Sequence, residues 1–203
     1  MVETKERFDT PITFRKATVK DAHLIACIDE AAHPPVSESN QLLNTAMIND
    51  LLEEYERSGE NHSFIAYREG MPVGYMLMTA HHSLEGKEYR IVSWSVIHKQ
   101  RSFQTASAMV KYALAIGGGH SLYRAWAREK TVAQRILKAG IRDWFEKQGY
   151  EVYVDEDSRK DSGGETHVDV RLTPIPSSDP LRRCAFERNR TSITPSEAGH
   201  SIH

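Results

Sequence analysis

The stretch from His98 to Ala106 carries the residue types best suited to holding an anion. It lies where an apolar run ending at Val96 and Ile97 hands over to an amphipathic segment beginning near Ala106. A strand that turns into a helix there aims several backbone N–H groups at one point, and the helix dipole favours negative charge at that point. The spacing Arg101-x-x-Gln104-x-Ala106 has the form of a phosphate-binding turn whose glycines are missing. Glycine lets backbone approach phosphate closely and tolerates unusual dihedrals. Gln104 puts a side chain into that space, where it either donates its amide to a phosphate oxygen or fills the cradle. Thr105 and Ser107 add hydroxyl groups able to donate or accept.

Groups able to move a proton are scattered more widely. His81, His82, His98 and Glu88 fall near the ends of expected strands, and a histidine can serve as a base near neutral pH. The plainer reading of His81 and His82 is a pair of exposed turn residues. The His-His pair has no Cys, Asp or His partner at ligand spacing, so no metal site is expected. Tyr89, Tyr150, Trp94 and Trp144 read as packing residues. Arg182, Arg183, Arg188 and Arg190 read as a solvated basic segment rather than a contact patch, because acidic residues are interleaved among them.

The elements that position these residues follow from pattern. Ile12 and Phe14 alternate with Thr13 and Arg15, which predicts a strand. Thr18 and Asp21 have capping-box spacing, with Asp in the place of Glu or Gln, and Leu24, Ile25 and Ile28 form an apolar stripe behind them. Two prolines, Pro34 and Pro35, end that helix. Leu43, Met47, Leu51 and Tyr55 recur every fourth residue in a second helix that Gly59 closes. Phe64–Tyr67 and Val73–Thr79 read as a hairpin around Arg-Glu-Gly-Met-Pro. Residues 89–97 form a further β-branched and aromatic strand. A third helix carries Ala106, Met109, Val110, Ala113 and Leu114 on one face and stops at Gly117. Residues 121–127 form a strand, 131–148 a helix ending at Gly149, and 150–157 with 166–174 a last hairpin. The order β-α-α-β-β-β-α-β-α-β-β predicts an α/β architecture, a mixed sheet flanked by helices.

Composition agrees with one folded unit. The chain has 203 residues, 39% hydrophobic and 27% charged, with a formal net charge of -2. That length supports one sizeable core, and the charge argues against a dedicated nucleic-acid binder. No apolar run is long enough for a bilayer, and the polar N-terminus lacks a signal-peptide core. Cys27 and Cys184 are far apart, so a reduced, cytoplasmic setting is expected. Residues 1–11 are expected to be flexible, 12–175 to form the domain, and 176–203 to be a disordered or partner-ordered tail.

Element order and local motifs together resemble the GNAT superfamily of acetyl-CoA-dependent N-acyltransferases. The stretch 12–25 looks like the family's opening strand and helix. Phe64–Met78, with a short acidic turn before Val73-Gly74, is similar to its second and third strands. Residues 92–110 fall where the family has its fourth strand and cofactor loop. Trp144 to Tyr153 looks like the end of its last helix. The resemblance spans roughly residues 12–173.

It implies a GNAT-like acyl-CoA N-acyltransferase fold with acetyl-CoA as cofactor and an amine, small molecule or protein, as acceptor. Its fourth strand would pair with the pantetheine arm through Val96, Ile97 and His98. The pyrophosphate would rest on Arg101, Ser102, Phe103, Gln104, Thr105 and Ala106. The family's glutamate base falls at Arg90, six residues before Val96, and its tyrosine acid at Phe145, four before Gly149. A recurrent asparagine falls at Lys138. His81, His98 and Glu88 are the substitutes at hand for catalysis. These departures leave open a second expectation, a non-catalytic GNAT-like structural or partner-binding protein, of the sort that tailed bacteriophages carry in their virions. A homodimer or incorporation into a larger particle fits either case.

Overall fold

A computed structural model describes residues 10–33, 43–83, 86–119, 121–128, 139–160 and 166–176. The expected tail beyond 176, residues 1–9, Lys138, Cys184 and the arginines from Arg182 onward lie outside the described residues. So does the first part of the expected helix 131–148.

The order of elements is the one the sequence predicts. It runs β1 (Ile12–Lys16), α1 (Ala22–Ala32), α2 (Thr45–Ser58), β2 (Phe64–Arg68), β3 (Met71–Ser83), β4 (Gly86–Val96), α3 (Phe103–Ile116), β5 (Leu122–Arg128), α4 (Ala139–Lys147), β6 (Tyr150–Lys160) and β7 (Thr166–Pro174). Local chemistry sets the boundaries. Thr18 N donates to Asp21 Oδ2 at 2.9 Å, closing the box ahead of α1, and Arg15 grips the same carboxylate with both terminal nitrogens, at 2.6 and 3.0 Å. Asn44 Oδ1 accepts from Met47 N at 2.9 Å to start α2, and Gly59 ends it in the left-handed region. Glu69 and Gly70 both have positive φ, the two-residue turn whose twist matches a hairpin.

His81 and His82 are strand residues, not turn residues. They pair with Glu88 and Lys87, and the β3–β4 ladder continues to Ser83 opposite Gly86. Sheet pairing runs through the backbone, so polar, exposed side chains at a strand end leave it intact. Among the described residues no helix is long and apolar enough to cross a membrane.

The strands form one seven-stranded sheet in the order β1-β2-β3-β4-β5-β7-β6. Among the described strands only β4 and β5 pair in parallel. Their pairing covers Glu88–Ile91 against Leu122–Ala125 and then stops. From there β4 runs on to Val96 beside β3, while β5 stays with β7, so a gap opens between them. Two cores lie on opposite faces. Ile25, Ile28, Ile48, Leu52, Tyr75 and Leu77 pack under α1 and α2. Met76, Met78, Tyr89, Val96, Met109, Tyr123 and Phe145 pack under α3 and α4.

One extra residue controls what β4 shows to each face. Leu77 pairs with Ser93 and Met78 with Ile91, which leaves Val92 as a bulge. A bulge reverses the alternation beyond it. Tyr89 and Ile91 face α3, and after the bulge Ser93 and Ser95 face α1.

Candidate active site

The gap has an open backbone edge on its β4 side. Ile97 N donates to Val73 O at 2.9 Å, so Ile97 turns toward β3. Peptide groups along a strand alternate sides, and the N–H and C=O of Trp94 and Val96 therefore face the gap. Gly74 sits behind this segment, where an added Cβ would stand 2.7 Å from Ser95 O and 3.2 Å from Met109 Sδ. The glycine lets α3 press against the strand pair. Trp94, expected in the core, is 36% exposed, because the splayed end of β4 has no neighbouring strand to cover it.

After β4 the chain makes a single tight turn over His98–Gln100, with Gln100 N donating to Ile97 O and Arg101 N to His98 O. Ser102 then caps α3, its Oγ accepting from Thr105 N at 3.0 Å. Phe103 and Gln104 occupy the open first turn, and both are exposed. The Phe103 ring meets Trp144 of α4 edge-on at 6.1 Å. Arg101 has a different task in this structure. Its Nε donates to Val96 O at 3.1 Å and its Nη2 to Ala32 O, tying the end of α1 to the end of β4.

Two further features escape the sequence reading. Arg68, at the end of β2, is only 4% exposed and donates to Gln100 Oε1 at 2.6 Å and to Thr105 Oγ1 at 3.0 Å. On the opposite face of the sheet, Asp29 of α1 is buried. Its Oδ1 accepts from Tyr75 Oη at 2.6 Å and from Ser95 Oγ at 3.0 Å, and its Oδ2 accepts from Leu43 N at 3.3 Å. Tyr75 Oη also meets Ser93 Oγ at 2.9 Å. Burial, then the Asp29 charge, pushes the Tyr75 phenol far above its usual range, so it stays protonated. A carboxylate on the apolar stripe of α1, one turn after Ile25, was the available signal for Asp29. Arg68 gave none, since it reads as an ordinary charge beside a turn.

The proton-transfer candidates do not converge. His81 and Glu88 are cross-strand partners at the start of β4, and Glu88 Oε1 is bound by Arg90 Nε at 2.7 Å. Eight residues of strand, roughly 26 Å, separate Glu88 from Val96, and His98 lies farther still. Glu88 instead lines a cavity of about 490 Å³ with Leu122, Arg124, Tyr153 and Arg171. Phe145 is buried against Trp144. Tyr150 is buried beside Tyr123, and burial pushes its phenol up to about 12, as befits a packing residue.

No family model matches the chain, and no curated protein matches it. Solved structures do. The diaminobutyrate acetyltransferase EctA from Paenibacillus lautus, in complex with L-2,4-diaminobutyric acid and coenzyme A, aligns with TM-score 0.56 and 18% identity over 81% of this chain and 96% of that one. The ribosomal-protein-S18-alanine N-acetyltransferase from Escherichia coli aligns with TM-score 0.58 and 12% identity over 84% and 97%. An acetyltransferase of the GNAT family from Streptococcus pneumoniae aligns with TM-score 0.51 and 14% identity over 80% and 99%. The mixed sheet with its β4–β5 gap is the GNAT acyl-CoA N-acyltransferase fold. At these identities the likeness is one of fold.

Proposed function

We propose that this chain is an acetyl-CoA-dependent N-acetyltransferase acting on an amine. The observation that carries the reading is the open edge of β4, with Trp94 and Val96 facing the gap beside the capped start of α3. The groups present fit the cofactor. A strand edge can pair with the amides of a pantetheine arm, and an open helix turn suits a pyrophosphate. Trp94 and Val96 would hold the arm, with Ile97 engaged by β3. The N–H groups of Phe103 and Gln104 would meet the phosphates. Gln104 is exposed, which keeps its side chain out of the core beneath the turn.

When bound, acetyl-CoA supplies a thioester for attack by the amine and a thiolate as leaving group. Ser93 Oγ flanks Trp94 on the α1 side and is linked through Tyr75 Oη to Asp29. A proton taken from the amine at Ser93 Oγ passes as one shift along this chain: the Ser93 proton to Tyr75, and the Tyr75 proton to Asp29. Each hydroxyl ends neutral and Asp29 ends protonated, which replaces the base missing at Arg90. Positioning supplies much of the remaining rate enhancement. An exposed free thiol at Cys27 suits a reducing, cytoplasmic setting.

The test is calorimetric titration with acetyl-CoA, followed by a thiol-release assay with peptides bearing free N-termini, lysine, polyamines and aminoglycosides. Saturable binding and release of free thiol with one amine class are expected. No heat and no thermal shift at millimolar acetyl-CoA would overturn the reading. Binding without release from any acceptor would reduce it to a binding module.

A further inference from the structure

We infer that His33 is a catalytic residue for an acceptor that arrives as an ammonium ion, and that its Nε2 takes the first proton from the amine beside the free end of β4. The inference rests on the acetyl-transfer reading above and adds to it a residue from the end of α1.

His33 is the first residue past α1, and its backbone N–H donates to Asp29 O at 3.0 Å. The ring folds back over the same turn. Nδ1 stands 3.0 Å from Asp29 O and 3.4 Å from Asp29 Oδ1. A carbonyl oxygen only accepts, so Nδ1 carries the ring proton and Nε2 keeps its lone pair. The His33 side chain is 33% exposed and that of Asp29 5%, so the imidazole is the member of the pair that reaches solvent. The same carboxylate oxygen accepts from Tyr75 Oη at 2.6 Å and from Ser95 Oγ at 3.0 Å. Ala32, next to His33, gives its carbonyl to Arg101 Nη2, while Arg101 Nε binds Val96 O. The imidazole is thereby held close to the end of β4. The charged or titratable side chains that these bonds bring to this corner are Asp29 of α1, Tyr75 of β3 and Arg101 before α3.

Proton counting calls for such a group. An alkyl amine such as a lysine side chain has a usual pKa of about 10, so near pH 7 it is mostly ammonium and has no lone pair for attack. Forming an amide removes two protons from that nitrogen, whereas the hydroxyl chain from Ser93 ends on one carboxylate and stores one. At Nε2 an N–H bond of the ammonium breaks, its electron pair stays on the amine nitrogen, and a new N–H bond forms on the imidazole. Asp29 Oδ1, 3.4 Å from Nδ1, balances the imidazolium. Attack on the thioester then breaks the C–S bond with its pair on sulfur, and the second proton moves along the hydroxyls to Asp29. That cancels the negative charge beside the imidazolium, and His33 gives its proton to solvent. Asp29 returns the other along the hydroxyls to the thiolate, so one proton leaves as thiol and one enters water.

Two measurements on the full chain test this. In nitrogen-15 NMR the His33 ring, identified by its loss in His33→Gln, should carry its proton on Nδ1 and none on Nε2 in the neutral form. The opposite tautomer overturns the inference. With an amine that the wild-type chain acetylates, His33→Ala should lower kcat/KM for that amine about tenfold or more at pH 7, with acetyl-CoA affinity unchanged. The deficit should shrink toward pH 9, where more of the amine arrives neutral. An unchanged kcat/KM overturns the inference, and so does a deficit that stays constant from pH 7 to pH 9. An equal loss of acetyl-CoA affinity would mean that His33 only closes α1, and would overturn it as well. If His33→Ala does not fold, His33→Gln is judged by the same rate and pH criteria. If the wild-type chain acetylates none of peptide N-termini, lysine, polyamines and aminoglycosides, the acetyl-transfer reading fails and this inference with it. Wild-type turnover with an insensitive variant refutes only the role of His33.

Discussion

The Tyr75 hydroxyl donates to Asp29 Oδ1 at 2.6 Å, joining the middle of β3 to α1 through a carboxylate that is 4% exposed. Replacing Asp29 by Ala strands the hydroxyls of Tyr75 and Ser95 together. Urea unfolding should show a loss of about 3 kcal/mol, against about 1 kcal/mol for Tyr75→Phe. A double-mutant cycle of the two should give a coupling of at least about 0.5 kcal/mol. Additive losses would mean that the pair does not interact.

The same chain of hydroxyls is the proton route proposed for acetyl transfer. Ser93→Ala removes its outer end without disturbing the Tyr75–Asp29 bond. Acetyl transfer should fall about tenfold or more in kcat, with acetyl-CoA affinity unchanged. An unaltered kcat would remove Ser93 from the proton route and leave positioning alone.

Arg101 occupies Val96 O, the carbonyl proposed to meet the ligand's arm. Arg101→Ala should destabilise the free protein by about 1 kcal/mol, because α1 loses its tie to β4. Pantetheine should nevertheless bind the variant at least as tightly as wild type. Weaker pantetheine binding would show that the tie preforms the site instead of competing for it.

Gly74→Ala tests how tightly the strand pair meets α3. The added methyl would meet Ser95 O at 2.7 Å, and a backbone atom cannot swing away. A loss of about 1–3 kcal/mol is expected in thermal or urea unfolding. A neutral effect would show that β3 and β4 shift freely at this point.

Acid stability should depend on Asp21. The hydrogen bonds from Arg15 outweigh burial and hold its carboxyl below the usual carboxylate range. A depressed carboxylate stabilises the fold fully above its unfolded pKa. That contribution is lost as pH falls through the folded value, below about pH 4. Asp21→Asn should therefore be less stable than wild type at neutral pH, with the difference shrinking toward pH 2. A constant difference across that range would show that the ion pair contributes nothing.

The elements were legible in the sequence because they depend on residues within about four positions of one another. Thr18 with Asp21, Asn44 with Met47, Gly59, and the turn at Glu69-Gly70 are such local rules. Apolar periodicity supplied the rest of the order from β1 to β7. The histidines at 81 and 82 misled, because exposed polar residues at a strand end look like a turn when the partner strand is not in view.

The chain by itself determined its helices, strands and turns, and which side of each was apolar. Tertiary structure decided the proposed site. The gap exists because β4 keeps β3 while β5 keeps β7, and no local pattern states which pairing stops first. The bulge at Val92 decides that Ser93 and Ser95 face Asp29, and a one-residue slip would have turned them away. Arg68 meets Gln100 and Thr105 across 32 and 37 residues of chain, and Asp29 meets Tyr75 across 46. Such partners are set by sheet register, which the sheet as a whole fixes by burying apolar faces. Their roles become visible only when distant strands lie side by side.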